Sequence, residues 1–110
     1  MTNKIFENIM RQTFNNIEFL SKIKGVEYTG KTQNRMCNFV EAALENNTTP
    51  ELALWGMYIK HFVSVKLHVN GTVPLTITQL TEKVQDSIVY LLLILANEVE
   101  KKQIEAMESI

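Results

Sequence analysis

A single cysteine, Cys37, occurs in the 110 residues, so the chain has no internal disulfide and no second thiol to share a metal. Cys37 reads as a small core residue in a protein kept in a reducing cytoplasm. Charge of one sign is also lacking. Eleven basic residues against twelve acidic ones leave a formal charge of -1, without the basic excess that duplex nucleic-acid binding draws on. Long apolar runs are missing too. The longest stretch, Ser87 to Ala96, falls well short of the ~20 residues of a membrane crossing. The first residues, MTNKIFENIMRQ, interleave Lys, Glu and Arg with apolar side chains and hold no signal-peptide-type run. The expectation is a cytoplasmic protein with no membrane contact.

Proline and glycine are scarce, at two and four residues, and they fall almost wholly between periodic segments. That placement, with 45% hydrophobic content, predicts one all-α domain over residues 1–110, a four- to five-helix bundle. The helices are expected at about 3–23, 33–46, 50–68 and 76–108. Helix one carries Ile5, Ile9, Phe14, Ile17 and Leu20 near a 3.6-residue period and ends before Gly25. Residues 25–32 read as a loop. Helix two places Met36, Phe39, Val40, Ala43 and Leu44 inward, and Asn46 and Asn47 break it. Thr49, Pro50 and Glu51 make a strong start for helix three, whose stripe is Leu52, Trp55, Ile59, Phe62 and Val65. Thr76 and Gln79 have the spacing of a capping box for the last helix. That helix is the longest. Apolar residues surround it between Ile88 and Leu95, as in a central, strongly apolar helix covered on all sides or sealed by a second subunit.

Glu82 and Asp86 lie four residues apart, which stacks two carboxylates on one helical face and offers the oxygen ligands that magnesium favours. For Glu82 a solvated face is the alternative. Asp86 precedes the apolar stretch, where an unpaired carboxylate is costly unless a cation or hydrogen bonds hold it. Tyr90, one turn on, can orient Asp86 or stack on a ligand, or be a core tyrosine. Lys60 and His61 interrupt the stripe of helix three where a phosphate-gripping cation would be wanted. On helix two, Asn34, Asn38, Glu41 and Glu45 form a polar stripe or an exposed face. There is no P-loop, GxGxxG, HExxH or Cys-rich metal spacing, and no visible nucleophilic triad.

The stretches KGVEYTG (24–30), RMCNF (35–39), YIKHFVS (58–64) and EKVQDSIVYLLLI (82–94) together resemble small phage-borne MazG-like proteins, and through them the all-α NTP pyrophosphatase superfamily. The similarity covers about Lys22 to Ala96. It implies a bundle, often dimeric or tetrameric, that holds magnesium on acidic helix residues and cleaves a nucleoside triphosphate to monophosphate and pyrophosphate. The matching positions are Glu27, Asn38, Lys60 and Tyr90 for ligand binding, with Glu82 and Asp86 as the catalytic pair. Active members carry an ExxE pair on one helix and an ExxD pair on another, because several magnesium ions must neutralise the triphosphate. Here the middle of the chain has no ExxE, and the last pair is spaced ExxxD. Glu41 and Glu45 are the helix-two carboxylates that could substitute, so the metal set would be Glu41, Glu82 and Asp86.

Three functions compete. The first is a magnesium-dependent nucleotide pyrophosphatase. The second is a non-enzymatic phage-type binder, which sequesters a signalling nucleotide or inhibits a host defence protein and would work in the host cytoplasm. The third is a purely structural helical adaptor whose apolar last helix makes an obligate dimer, with Glu82 and Asp86 paired to basic side chains.

Overall fold

The computed structural model describes the backbone of residues 1–29 and 34–109 and the side chains of residues 1–23 and 34–109. The described residues are all-α: α1 is Asn3–Thr29, α2 Cys37–Glu45, α3 Pro50–Val69 and α4 Ile77–Glu108. They fall into two compact units, Met1–Asn38 and Phe39–Ile110.

In the first unit, α1 runs past Gly25 to Thr29 rather than ending at Ile23. A lone glycine costs a helix about 1 kcal/mol, which a long helix can absorb. Residues 30–32 of the expected loop lie outside the described residues. Helix α2 begins at Cys37, four residues later than its periodicity suggests. The cause is Asn34, whose Oδ1 accepts the Met36 N–H at 2.9 Å while its carbonyl accepts the Cys37 N–H at 3.1 Å. This local turn competes with helix. Arg35 reaches back to α1, donating from Nη1 to Ser21 Oγ at 3.1 Å and from Nη2 to the Ser21 carbonyl at 2.7 Å.

In the second unit, α2 packs Ala43 inward and stops where Asn47 enters the left-handed region at φ 53°. The Thr48 N–H then returns to the Ala43 carbonyl at 2.9 Å, closing the helix end. Thr49 Oγ1 accepts the Leu52 N–H at 3.2 Å and starts α3, with Pro50 at the first helical position. At the far end Gly71, at φ 78°, donates to the His68 carbonyl, and Thr72 donates to the Leu67 carbonyl at 2.9 Å. Only glycine takes this conformation without steric cost. The Leu75 N–H donates to His68 Nδ1 at 2.8 Å, fixing the turn. The capping box forms as its spacing predicts: Thr76 Oγ1 accepts from the Gln79 N–H, and Gln79 Oε1 accepts from the Thr76 N–H.

Helices α3 and α4 therefore run antiparallel, and theirs is the extensive helix–helix packing of this unit. Their ends are pinned by Glu51, which pairs with Lys101 and accepts from Asn97 Nδ2 at 3.3 Å. The Lys101 ammonium holds the Glu51 carboxyl below the ordinary glutamate range, and Glu51 in turn raises Lys101. Leu54 is the most deeply buried side chain.

The last helix departs from expectation. It is long, at 32 residues, yet its one buried residue is Gln85, and Leu91, Leu92 and Leu95 are exposed. Helix α3 packs extensively along one strip of it, so among the described residues of this unit α4 does not have the enclosure on all sides expected of a central bundle helix. No described helix is long and apolar enough to cross a membrane.

Leu54→Ala is expected to cost about 2–5 kcal/mol, the range for emptying a buried leucine site, read from urea midpoints. Lys101→Met tests the Glu51 pair. A lowered carboxyl contributes stability that is present above its unfolded value and lost as acid protonates it, and a raised ammonium contributes below its unfolded value and loses it in alkali. The variant should therefore melt below wild type near neutral pH and converge with it once the solution is acid enough to protonate Glu51.

Candidate functional site

The capped start of α4 fixes which side chains its next turns present. Glu82, Asp86 and Tyr90 follow one another at four-residue intervals, and the antiparallel pairing brings His61 of α3 against the second and third of them. His61 Nε2 lies 3.3 Å from Asp86 Oδ2, with the His61 side chain 13% exposed and that of Asp86 37%. The other ring nitrogen, Nδ1, is 3.0 Å from the Met57 carbonyl one turn back. Both nitrogens thus face oxygen acceptors. These two contacts hold the imidazole in place.

Tyr90 covers the cluster. Its ring centroid is 5.2 Å from that of His61, at 59°, and 6.4 Å from Phe39, at 83°, the edge-on geometry that aromatic pairs favour. Tyr58 continues the aromatic surface along α3, 5.2 Å from Trp55 and 6.2 Å from Phe62. Phe39, His61, Asp86 and Tyr90 form one partly covered cluster, with an acid and a base in contact.

The other candidates are distributed around it. Glu82 is exposed on the turn before Asp86, and Glu41 is exposed on α2. Lys60 is exposed, because one residue along a helix turns the side chain by ~100°, so facing Asp86 falls to His61 instead. Asn38 is exposed in the other unit, where its Oδ1 lies 3.7 Å from Cys37 Sγ. The Glu27 side chain lies outside the described residues. Among the described residues no three His, Cys, Asp or Glu side chains are grouped to hold a metal ion. His61 carried only a faint signal in the sequence, as a polar residue interrupting an apolar stripe. Phe39 carried none beyond its place in the core pattern.

Comparisons with family models, curated proteins and solved structures gave no match.

Asp86→Asn separates the two roles open to this residue. A carboxylate that steadies His61 predicts a loss of about 1–2 kcal/mol of stability, moderated by the exposure of Asp86. A carboxylate that serves mainly as a magnesium ligand predicts nearly unchanged stability and lost metal-dependent binding. Denaturation midpoints and nucleotide titrations on the same variant distinguish them.

Proposed function

We propose that this chain is a helical binding protein that works as a homo-oligomer and holds a nucleotide-type ligand beside the His61, Asp86 and Tyr90 cluster. One observation carries this reading. Among the described residues the buried apolar side chains are Ile17, Ala43 and Leu54, whereas Trp55, Phe62, Leu91 and Leu95 remain exposed on the hairpin. An exposed apolar surface of that extent on a stable protein marks an interaction face. The Tyr90 ring and its aromatic neighbours offer a stacking surface for a base, and Lys60, on the flank of α3, supplies a cation for phosphate.

Binding is favoured over hydrolysis because Asp86, the carboxylate a magnesium ion would need most, already pairs with His61. Hydrolysis to nucleoside monophosphate and pyrophosphate is the second reading. It draws on the resemblance to MazG-like proteins and on the one-turn spacing of Glu82 and Asp86, with Glu41 as the further magnesium ligand. A host protein in place of the nucleotide is a variant of the first reading.

Light scattering at micromolar concentration is expected to give a mass of at least twice 12.7 kDa; a monomer would overturn the oligomeric part. A thermal-shift screen of nucleotides, with and without magnesium, tests the rest, since a ligand bound only by the native state raises the melting temperature. A stabilising nucleotide that yields no pyrophosphate is the expected result. Pyrophosphate release would install the second reading, and no shift with any nucleotide would remove the ligand from both.

A further inference from the structure

Asn70 and Gly71 form the chain's one Asn–Gly pair, and both are exposed in the turn between α3 and α4. An asparagine followed by glycine can modify itself. The main-chain nitrogen of the second residue attacks the side-chain carbonyl carbon of the first, a C–N bond forms, and the side-chain nitrogen leaves as ammonia. Water then opens the five-membered succinimide at either carbonyl. The product is aspartate, or isoaspartate where the main chain is left running through Cβ and Cγ. Amide and water become acid and ammonia, and nothing is oxidised or reduced.

Two features of this turn favour the step. Gly71 has no side chain to shield its nitrogen, and among the described residues no atom lies within 4 Å of where a Cβ would stand. The Thr72 N–H donates to Asn70 Oδ1 at 3.0 Å. That oxygen takes the negative charge when the carbonyl carbon is attacked, so a donor already stands where the charge develops.

The end of α3 opposes it. At ψ 1° the Gly71 nitrogen lies in line with the Asn70 nitrogen, and closing the ring requires it to come into line with Cβ instead. That rotation breaks the two bonds that close the helix, from the Gly71 N–H to the His68 carbonyl at 3.1 Å and from the Thr72 N–H to the Leu67 carbonyl at 2.9 Å. His68 adds a further hold. Its Nδ1 accepts the Leu75 N–H at 2.8 Å and ties the far side of the turn to α3.

We propose that Asn70 is a self-modification site, whose conversion to aspartate and isoaspartate is gated by local opening of the α3–α4 turn with His68 as the latch. The inference is independent of the proposed ligand. Both products place a carboxylate at the C-terminal end of α3, where the last carbonyls already concentrate negative charge. Isoaspartate also lengthens the main chain by one carbon between the helices. The Gly71 and Thr72 amides then lose the spacing of the helix end, and the register that pairs His61 with Asp86 loosens.

The test is to age the intact chain in a mildly alkaline buffer, natively and unfolded in urea, and to map its peptides by mass spectrometry, with electron-transfer fragmentation to tell isoaspartate from aspartate. The native chain should gain acid at Asn70 and not at Asn97, which is held within α4 by its bond to Glu51. Unfolding should speed the Asn70 conversion several-fold, because the turn must open for the ring to close. His68→Ala, checked for helix content by circular dichroism, should raise the native rate several-fold and leave the unfolded rate unchanged. His68→Asn, whose side-chain oxygen can accept in place of Nδ1, should bring the native rate back toward wild type. The purified isoaspartyl form should melt below the parent. Equal native and unfolded rates would overturn the gate, and so would a native rate indifferent to His68→Ala. A native chain that keeps Asn70 intact while the unfolded one converts would overturn the site itself. If His68→Ala fails to fold, the comparison of native with unfolded wild type decides alone.

Discussion

Two helices lying side by side can bury only the strip along which they touch, and that restriction governs the second unit of this protein. The α3 and α4 hairpin makes one such strip, and Leu54 of α3 is, among the described residues, the side chain most completely removed from water. Each helix nevertheless carries apolar residues over a wider arc than a single neighbour can cover. The surplus stays in contact with water, where apolar area costs about 25 cal/mol per Å² relative to burial. A chain that retains this surplus gains by association, and the physics of the fold leads directly to the question of what covers it.

The register of the strip is set at the turn. Gly71 in the left-handed region, the His68 ring accepting from the Leu75 amide and the Thr76 and Gln79 box leave little freedom in how α4 starts relative to the end of α3. Everything further down the hairpin inherits that choice. The ten residue steps of α3 from Glu51 to His61 run beside the eleven of α4 from Asn97 back to Asp86, so the two polar links lie at the two ends of one paired stretch. A slip of one residue would turn His61 away by ~100° and leave Asp86 without its imidazole.

The pair of His61 and Asp86 has a cost as well as a use. Polar groups in a mostly apolar strip must find each other or lose hydrogen bonds, which favours one register over its neighbours. Tyr90 packs on His61, and Phe39 packs on Tyr90, which ties α2 to the hairpin through aromatic contact. The cluster that suits a ligand is thus also part of what aligns the helices, and its residues answer to two demands at once.

The sequence by itself determined whatever depends on near neighbours. Thr49 with Pro50 and Thr76 with Gln79 mark helix starts because capping is satisfied within one turn, and Asn46 and Asn47 mark an end for the same local reason. Periodicity likewise located four helices, missing only how far α1 continues past Gly25 and how long Asn34 delays α2. Asp86 stood out because a carboxylate beside an apolar run needs a partner, but its partner was not legible. Lys60 and His61 are adjacent in the chain, and only the rotation of α3 against α4 decided which of them faces the carboxylate. The apolar girdle of α4 was equally ambiguous, since composition records how much surface seeks cover and not how many helices are near enough to provide it. Tertiary structure decided that α3 is the extensive neighbour of α4 within this unit, with Phe39 of α2 packed on Tyr90, because burial is a property of the packed neighbours and not of the residue.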